Sequence, residues 1–101
     1  MYQVLDYIKE RPHMLLGNRS VMHLYSFLLG FEIARSHYRI PESEDEKDFA
    51  NFQDWVANRF GITSGQTWAQ IILFFSADEA ESLDLFFQLL DEYRNRASQG
   101  Q

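Results

Sequence analysis

No cysteine occurs in the 101 residues, which removes disulfides, thiol nucleophiles and thiolate metal sites together. The same lack fits a reducing compartment, so the cytoplasm is the expected location. The five glycines form neither the GxxxxGK[ST] loop that cradles phosphate nor the GxSxG elbow of a serine hydrolase. No apolar run approaches the ~20 residues of a membrane span. The opening MYQVLDYIKERP lacks the apolar segment of a secretory signal, so no membrane partner is expected. Basic residues are few, nine against fifteen acidic ones, for a net charge of -6. That balance disfavours nucleic acid, whose affinity rests on clustered Lys and Arg that release counterions. An acidic surface suits a basic protein partner, although it also simply keeps a small chain soluble.

Apolar side chains are abundant and recur at helical spacing. The densest stretch runs from Thr67 to Tyr93 and breaks once, at Ser76-Ala77-Asp78-Glu79. Before the break Trp68, Ile71, Ile72 and Phe75 form one stripe; after it Ala80, Leu83, Phe86, Phe87, Leu90 and Tyr93 form another. Two such helices form a hairpin around which the remainder packs. Taken alone, ILFF at Ile71 to Phe74 would pass for a buried strand, and only the flanking helical spacing opposes that reading.

Upstream, Tyr2, Val4, Leu5 and Ile8 mark a short helix that Pro12 stops, and RPHMLLG reads as a turn with Met14, Leu15 and Leu16 tucked onto the core. Ser20 caps a long helix from Val21 to Tyr38, interrupted by Gly30, where close approach of another backbone is expected. A charged loop after Pro41 leads into a helix from Glu46 to Phe60 ended by Gly61, and either Ser64 or Thr67 caps the next. Residues from Arg94 to Gln101 are expected to fray. The chain is thus expected to be an all-α, single-domain bundle of about five helices with a C-terminal helical hairpin. A single domain of this length buries roughly 65% of its unfolded surface, enough for a core without staples.

Candidate chemistry is sparse. His13, His23 and His37 form no HxxxH or HExxH pair, so no metal site is expected. The acidic run Glu42, Glu44, Asp45, Glu46 and Asp48 lacks the glycine that a calcium-binding EF-hand loop requires, and reads as a solvated loop or a protein contact. Asp78, Glu79 and Glu81 suit the first turn of a helix. No catalytic set is found, no cofactor is implied, and the chain is expected not to be an enzyme. Most aromatics fall on helical stripes and belong to the core, the alternative being a ligand pocket beside Trp55 and Trp68. Tyr25, Arg35 and Tyr38 lie along the long helix, partly exposed, and are residue types that carry interface energy.

Two resemblances arise at these residues. YIKERPHMLLG looks like a stretch near the start of gyrase-type ATPase domains, but that family's later Asn for magnesium and Asp-x-Gly for adenine have no counterpart. RPHMLLG, then SVMHLYSFLLGFE, FQDWVANRFG, a tryptophan helix and FFQLLDEY together resemble small all-α bacterial proteins described as immunity-like and encoded with toxin systems. That resemblance implies a non-enzymatic protein-interaction module that binds and occludes a cognate, basic toxin. Contacts are then expected from Glu42, Glu44, Asp45, Glu46, Asp48, Tyr25, Arg35 and Tyr38. The alternatives are a small-ligand-binding or regulatory domain and a structural homo-oligomer.

Overall fold

Ser20, Ser43, Thr67 and Asp78 each stand one residue before a helix, and each side chain accepts a hydrogen bond from a first-turn N–H, relieving donors that have no intrahelical partner. At Thr67 the bond is reciprocated, because Gln70 Oε1 accepts from the Thr67 N–H, which selects Thr67 over Ser64 as the cap. The computed structural model describes residues 1–96, and these form helices joined by turns and irregular segments, with no strand among them. Its helices are α1 (Tyr2–Glu10), α2 (Pro12–Leu16), α3 (Val21–His37), α4 (Glu44–Phe49), α5 (Phe52–Phe60), α6 (Trp68–Phe74) and α7 (Glu79–Arg94).

The α6–α7 hairpin is the centre: α3 packs on both of its helices from one side and α5 on both from another. Ile71 to Phe74 is therefore helical, not extended. Two features depart from the expected five helices. RPHMLLG is not a turn with its apolar residues inside. Pro12 displaces Arg11 from helical geometry and then serves as the first residue of α2, where its missing N–H costs nothing. Met14 and Leu15 consequently lie exposed, and only Leu16 packs inward. The expected Glu46–Phe60 helix begins earlier and breaks at Ala50–Asn51, which lets Phe49 and Phe52 stack at 5.2 Å.

Phe52, fully buried, is the hub of the core. Its ring lies 5.2–5.9 Å from those of Phe49, Trp55, Trp68, Phe86 and Tyr93, contributed by α4, α5, α6 and α7. Most of these pairs are edge-to-face, the arrangement that brings positive ring edges to negative faces. One buried polar group ties α3 to the hairpin: the Ser82 hydroxyl accepts the Val21 N–H at 3.0 Å and donates to the Glu79 carbonyl.

The expectations for the helix ends and for Gly30 are met unevenly. Gly61, at φ 67°, ends α5 as expected, with the Ile62 and Gly61 N–H groups bonded back to the Ala57 and Asn58 carbonyls. The same paired bonds end α3, from Ile40 to Arg35 and from Arg39 to Ser36, yet the left-handed position is held by Arg39 at φ 57°. Gly30 has no backbone against it; a Cβ there would meet nothing within 4 Å. Of the expected frayed tail, Arg94 closes α7 and Arg96 is ion-paired, while 97–101 lie outside the described residues.

Ser82→Ala orphans a buried N–H and is expected to cost about 1–3 kcal/mol. Arg39→Gly relieves a left-handed conformation and is expected to stabilise by about 1 kcal/mol. Urea-induced unfolding of the two variants measures both, and opposite signs are required.

Candidate protein-interaction surfaces

The acidic segment expected to face a partner is largely consumed inside the molecule. Asp48 Oδ2 accepts the Tyr2 hydroxyl at 2.6 Å and Oδ1 accepts Arg96 at 2.8 Å, while the Asp48 carbonyl accepts the Tyr93 hydroxyl. Arg96 also lies over the Tyr93 ring and Arg94 over the Tyr2 ring, at 3.8 and 4.2 Å. Asp45 accepts the Ser43 hydroxyl and the Tyr2 N–H. Glu46 is nearly buried against Arg35, whose Nε lies 2.6 Å from Glu46 Oε2 without the alignment of a hydrogen bond. These contacts clasp α1 and the end of α7 onto α4. Asp45, Asp48, Glu46 and Arg35 thus also hold the fold, a role their expected place in a partner contact did not include, while Glu42 and Glu44 stay exposed.

Of the expected tyrosines, Tyr25 is half-buried, edge-on to Trp68 at 5.3 Å, and Tyr38 is exposed. Tyr25, Glu32, Phe49 and Trp68 do line a cleft, of about 230 Å³. That is below the ~300–1,000 Å³ of ordinary small-molecule sites, and Trp55 is not part of it. The three histidines are apart: Nδ1 of His13 and of His23 lie near the Gly17 and Leu16 carbonyls, and His37 packs on Tyr38. Among the described residues no group of three His, Asp or Glu side chains is placed to hold a metal ion.

Besides Met14, Leu15, Tyr38 and Ile40, two apolar surfaces are uncovered. The first is the outward side of α3. Only Val21, Leu24 and Leu28 of its 17 residues are buried, and Leu29 and Ile33, one turn apart, face outward, Ile33 at 68% exposure. The second is the turn between α6 and α7. Phe74 is 80% exposed, edge-on to Phe75, which stacks on Phe60 at 4.6 Å. With Ile62, Ser64, Gln66, Gln70 and Ile71, Phe74 and Phe75 border a groove of about 340 Å³.

The helical stripe drawn through Trp68, Ile71, Ile72 and Phe75 hid this second surface. It assigns Phe75 to the core, but α6 ends at Phe74 and the chain turns before Phe75 is enclosed. A sequence signal does exist. From Phe60 to Tyr93 there is no Lys, Arg or His, whereas Asp78, Glu79, Glu81, Asp84, Asp91 and Glu92 all fall there. Asp84 and Glu92 are paired with Arg19 and Arg59, but Asp78, Glu79 and Glu81, next to the aromatic turn, face no cation among the described residues.

Compared with family models, curated proteins and solved structures, the chain matches none. No helix of the described residues is long and apolar enough to cross a membrane.

The clasp sets a pH dependence. Hydrogen bonds from Ser43 and from the Tyr2 N–H hold the Asp45 carboxyl below its ordinary range. At Asp48 burial pushes upward, but the Tyr2 and Arg96 hydrogen bonds outweigh it, so its carboxyl also titrates low. Burial first, then Asp48, pushes the Tyr2 hydroxyl up, and burial does the same to Tyr93. The depressed carboxyls add stability that is present above about pH 4 and lost as the pH falls through their folded values. The raised phenols add stability that is present below about pH 10 and lost as the pH rises through theirs. The urea midpoint is expected to fall at both ends, with Asp48→Asn flattening the acid limb and Tyr2→Phe the alkaline one.

Proposed function

We propose that this chain is a protein-interaction module, an immunity-type inhibitor that seats the Phe74 turn on a basic protein and blocks that protein's working surface. The observation that carries the proposal is a largely exposed phenylalanine followed shortly in the chain by three exposed carboxylates that face no cation among the described residues. Exposing an aromatic ring of this size to water is unfavourable, and an exposed apolar patch rimmed by polar groups is typical of an interface. Hot spots combine such an anchor with a surrounding rim that excludes water. Ser64, Gln66 and Gln70 supply the polar rim, and the uncompensated charge of Asp78, Glu79 and Glu81 further along the turn speeds encounter with a cationic partner and disfavours acidic ones.

The complementary partner offers an apolar hollow for Phe74 ringed by Lys and Arg. Glu42 and Glu44, exposed elsewhere, add to the long-range attraction without needing to touch. The resemblance to immunity-like proteins names the biological form of such binding, namely occlusion of a toxin encoded nearby, and implies no chemistry by this chain. A small-ligand role has less support, because the aromatic cleft at Trp68 is small and partly closed by the Gln53 side chain, whose Oε1 accepts the Trp68 N–H.

Co-expression with each toxin candidate from neighbouring genes is the decisive assay. The unaltered chain is expected to protect the cell from one of them. Phe74→Ser is expected to keep its helical signal and lose protection, with binding about 30-fold weaker, the size of a hot spot worth about 2 kcal/mol. Neutralising Asp78, Glu79 and Glu81 to their amides is expected to slow association and flatten its salt dependence. Full toxicity alongside every neighbouring candidate overturns the proposal.

A further inference from the structure

From the cleft between α3, α5 and α6 we infer that the chain binds a small organic cation, taking up the methylated ammonium head group of a molecule of the choline class. Tyr25, Phe49 and Trp68 supply the aromatic side of the cleft, Leu28 and Leu29 an aliphatic side, and Glu32 its one charge. The Tyr25 and Phe49 rings stand at 78° and 82° to the Trp68 ring, with centroids 5.3 and 5.8 Å from it. The aromatic side therefore turns a corner instead of lying flat, and rings set in different planes meet one cation from more than one direction. At about 230 Å³ the cleft is below the size of ordinary small-molecule sites, so a head group fits where a larger ligand does not.

Charge selects the sign of the occupant. No Lys, Arg or His lines the cleft, and Glu32 pairs with no cation among the described residues. Arg35, one turn further along α3, is engaged by Glu42 and Glu46 instead. An anion here would meet a carboxylate and no positive group, whereas a cation meets a carboxylate and aromatic rings, both attractive. The same lining chooses among cations. A primary ammonium is compact, strongly hydrated and carries three N–H donors that need acceptors. Gln53, the one amide in the cleft, is already used: its Oε1 accepts the Trp68 N–H and its Nε2 donates to the Gln66 carbonyl. A methylated ammonium needs no such acceptors and buries its methyl groups against the rings and leucines. The cleft shares no lining residue with the Phe74 groove, so the inference does not rest on the function proposed above, and either can fail alone.

Choline titrated into the isotope-labelled full-length chain tests this by NMR, because each tryptophan reports through its own indole N–H. Trp68 lines the cleft and Trp55 does not. The Trp68 signal is expected to move and saturate with a dissociation constant of about 1 mM, and the Trp55 signal to move less. Dimethylbutanol, the uncharged carbon isostere of choline, and betaine, which adds a carboxylate to the same head group, are both expected to bind more weakly. Glu32 is exposed, so Glu32→Gln is expected to keep its helical signal and to weaken choline binding about 3-fold. Tyr25→Leu is expected to weaken it at least about 3-fold. Glu44→Gln, which removes an equal charge outside the cleft, is expected to leave it unchanged. A Trp68 shift that never saturates, equal binding of dimethylbutanol and choline, or undiminished affinity in Glu32→Gln overturns the inference.

Discussion

The packing of Phe52 against five other rings is the constraint that the rest of the molecule obeys. Those rings come from four helices, and none of the short ones, α4, α5 or α6, has the length to be stable alone, since isolated helices below ~12–15 residues are marginal in water. Each is held because its aromatic side chain completes a shell around Phe52. The break at Ala50–Asn51 follows from the same demand. A continuous helix through Asn51 would spread Phe49 and Phe52 over successive turns, whereas the broken one stacks them face to face between Trp68 and Phe86.

Around that shell, charge is used for closure and not for display. The two ends of the described chain meet at α4, where Asp48 takes a tyrosine from α1 and an arginine from beyond α7, and where its carbonyl takes Tyr93. Tyr93 is buried, but Asp48 and Arg96 are each more than a third exposed, so their ion pair is screened and modest. Their joint effect is topological: they join segments more than forty positions apart and so close the bundle over the aromatic shell.

The helical architecture was legible because it depends on local signals. Capping residues, the left-handed Gly61 and the three-and-four spacing of apolar side chains each act within a few positions, and they located α3, α6, α7 and the end of α5. Where legibility failed, distant partners decided. Glu46 and Asp48 are indistinguishable in sequence from solvated carboxylates, and only the arrival of Arg35 and of Tyr2 with Arg96 turns them inward. Phe75 follows the helical stripe to the last position, and nothing local announces that α6 stops one residue short of it. Met14 and Leu15 are exposed because α2 is one turn of helix where a turn was expected. The run from Phe60 to Tyr93 without a base was visible in sequence, but it gained meaning only when Phe74 proved to be uncovered beside it.

The two uncovered surfaces differ in charge. At the α6–α7 turn an exposed aromatic knob precedes three carboxylates that face no cation among the described residues, so on the proposed reading long-range attraction would select cations while the ring supplied contact energy at short range. On the exposed side of α3 the one carboxylate is Glu32, so that surface has no comparable field. The partition of charge between hairpin and long helix is therefore as much a property of this molecule as its fold, and it follows from the basic residues being confined to the positions before Phe60 and after Tyr93.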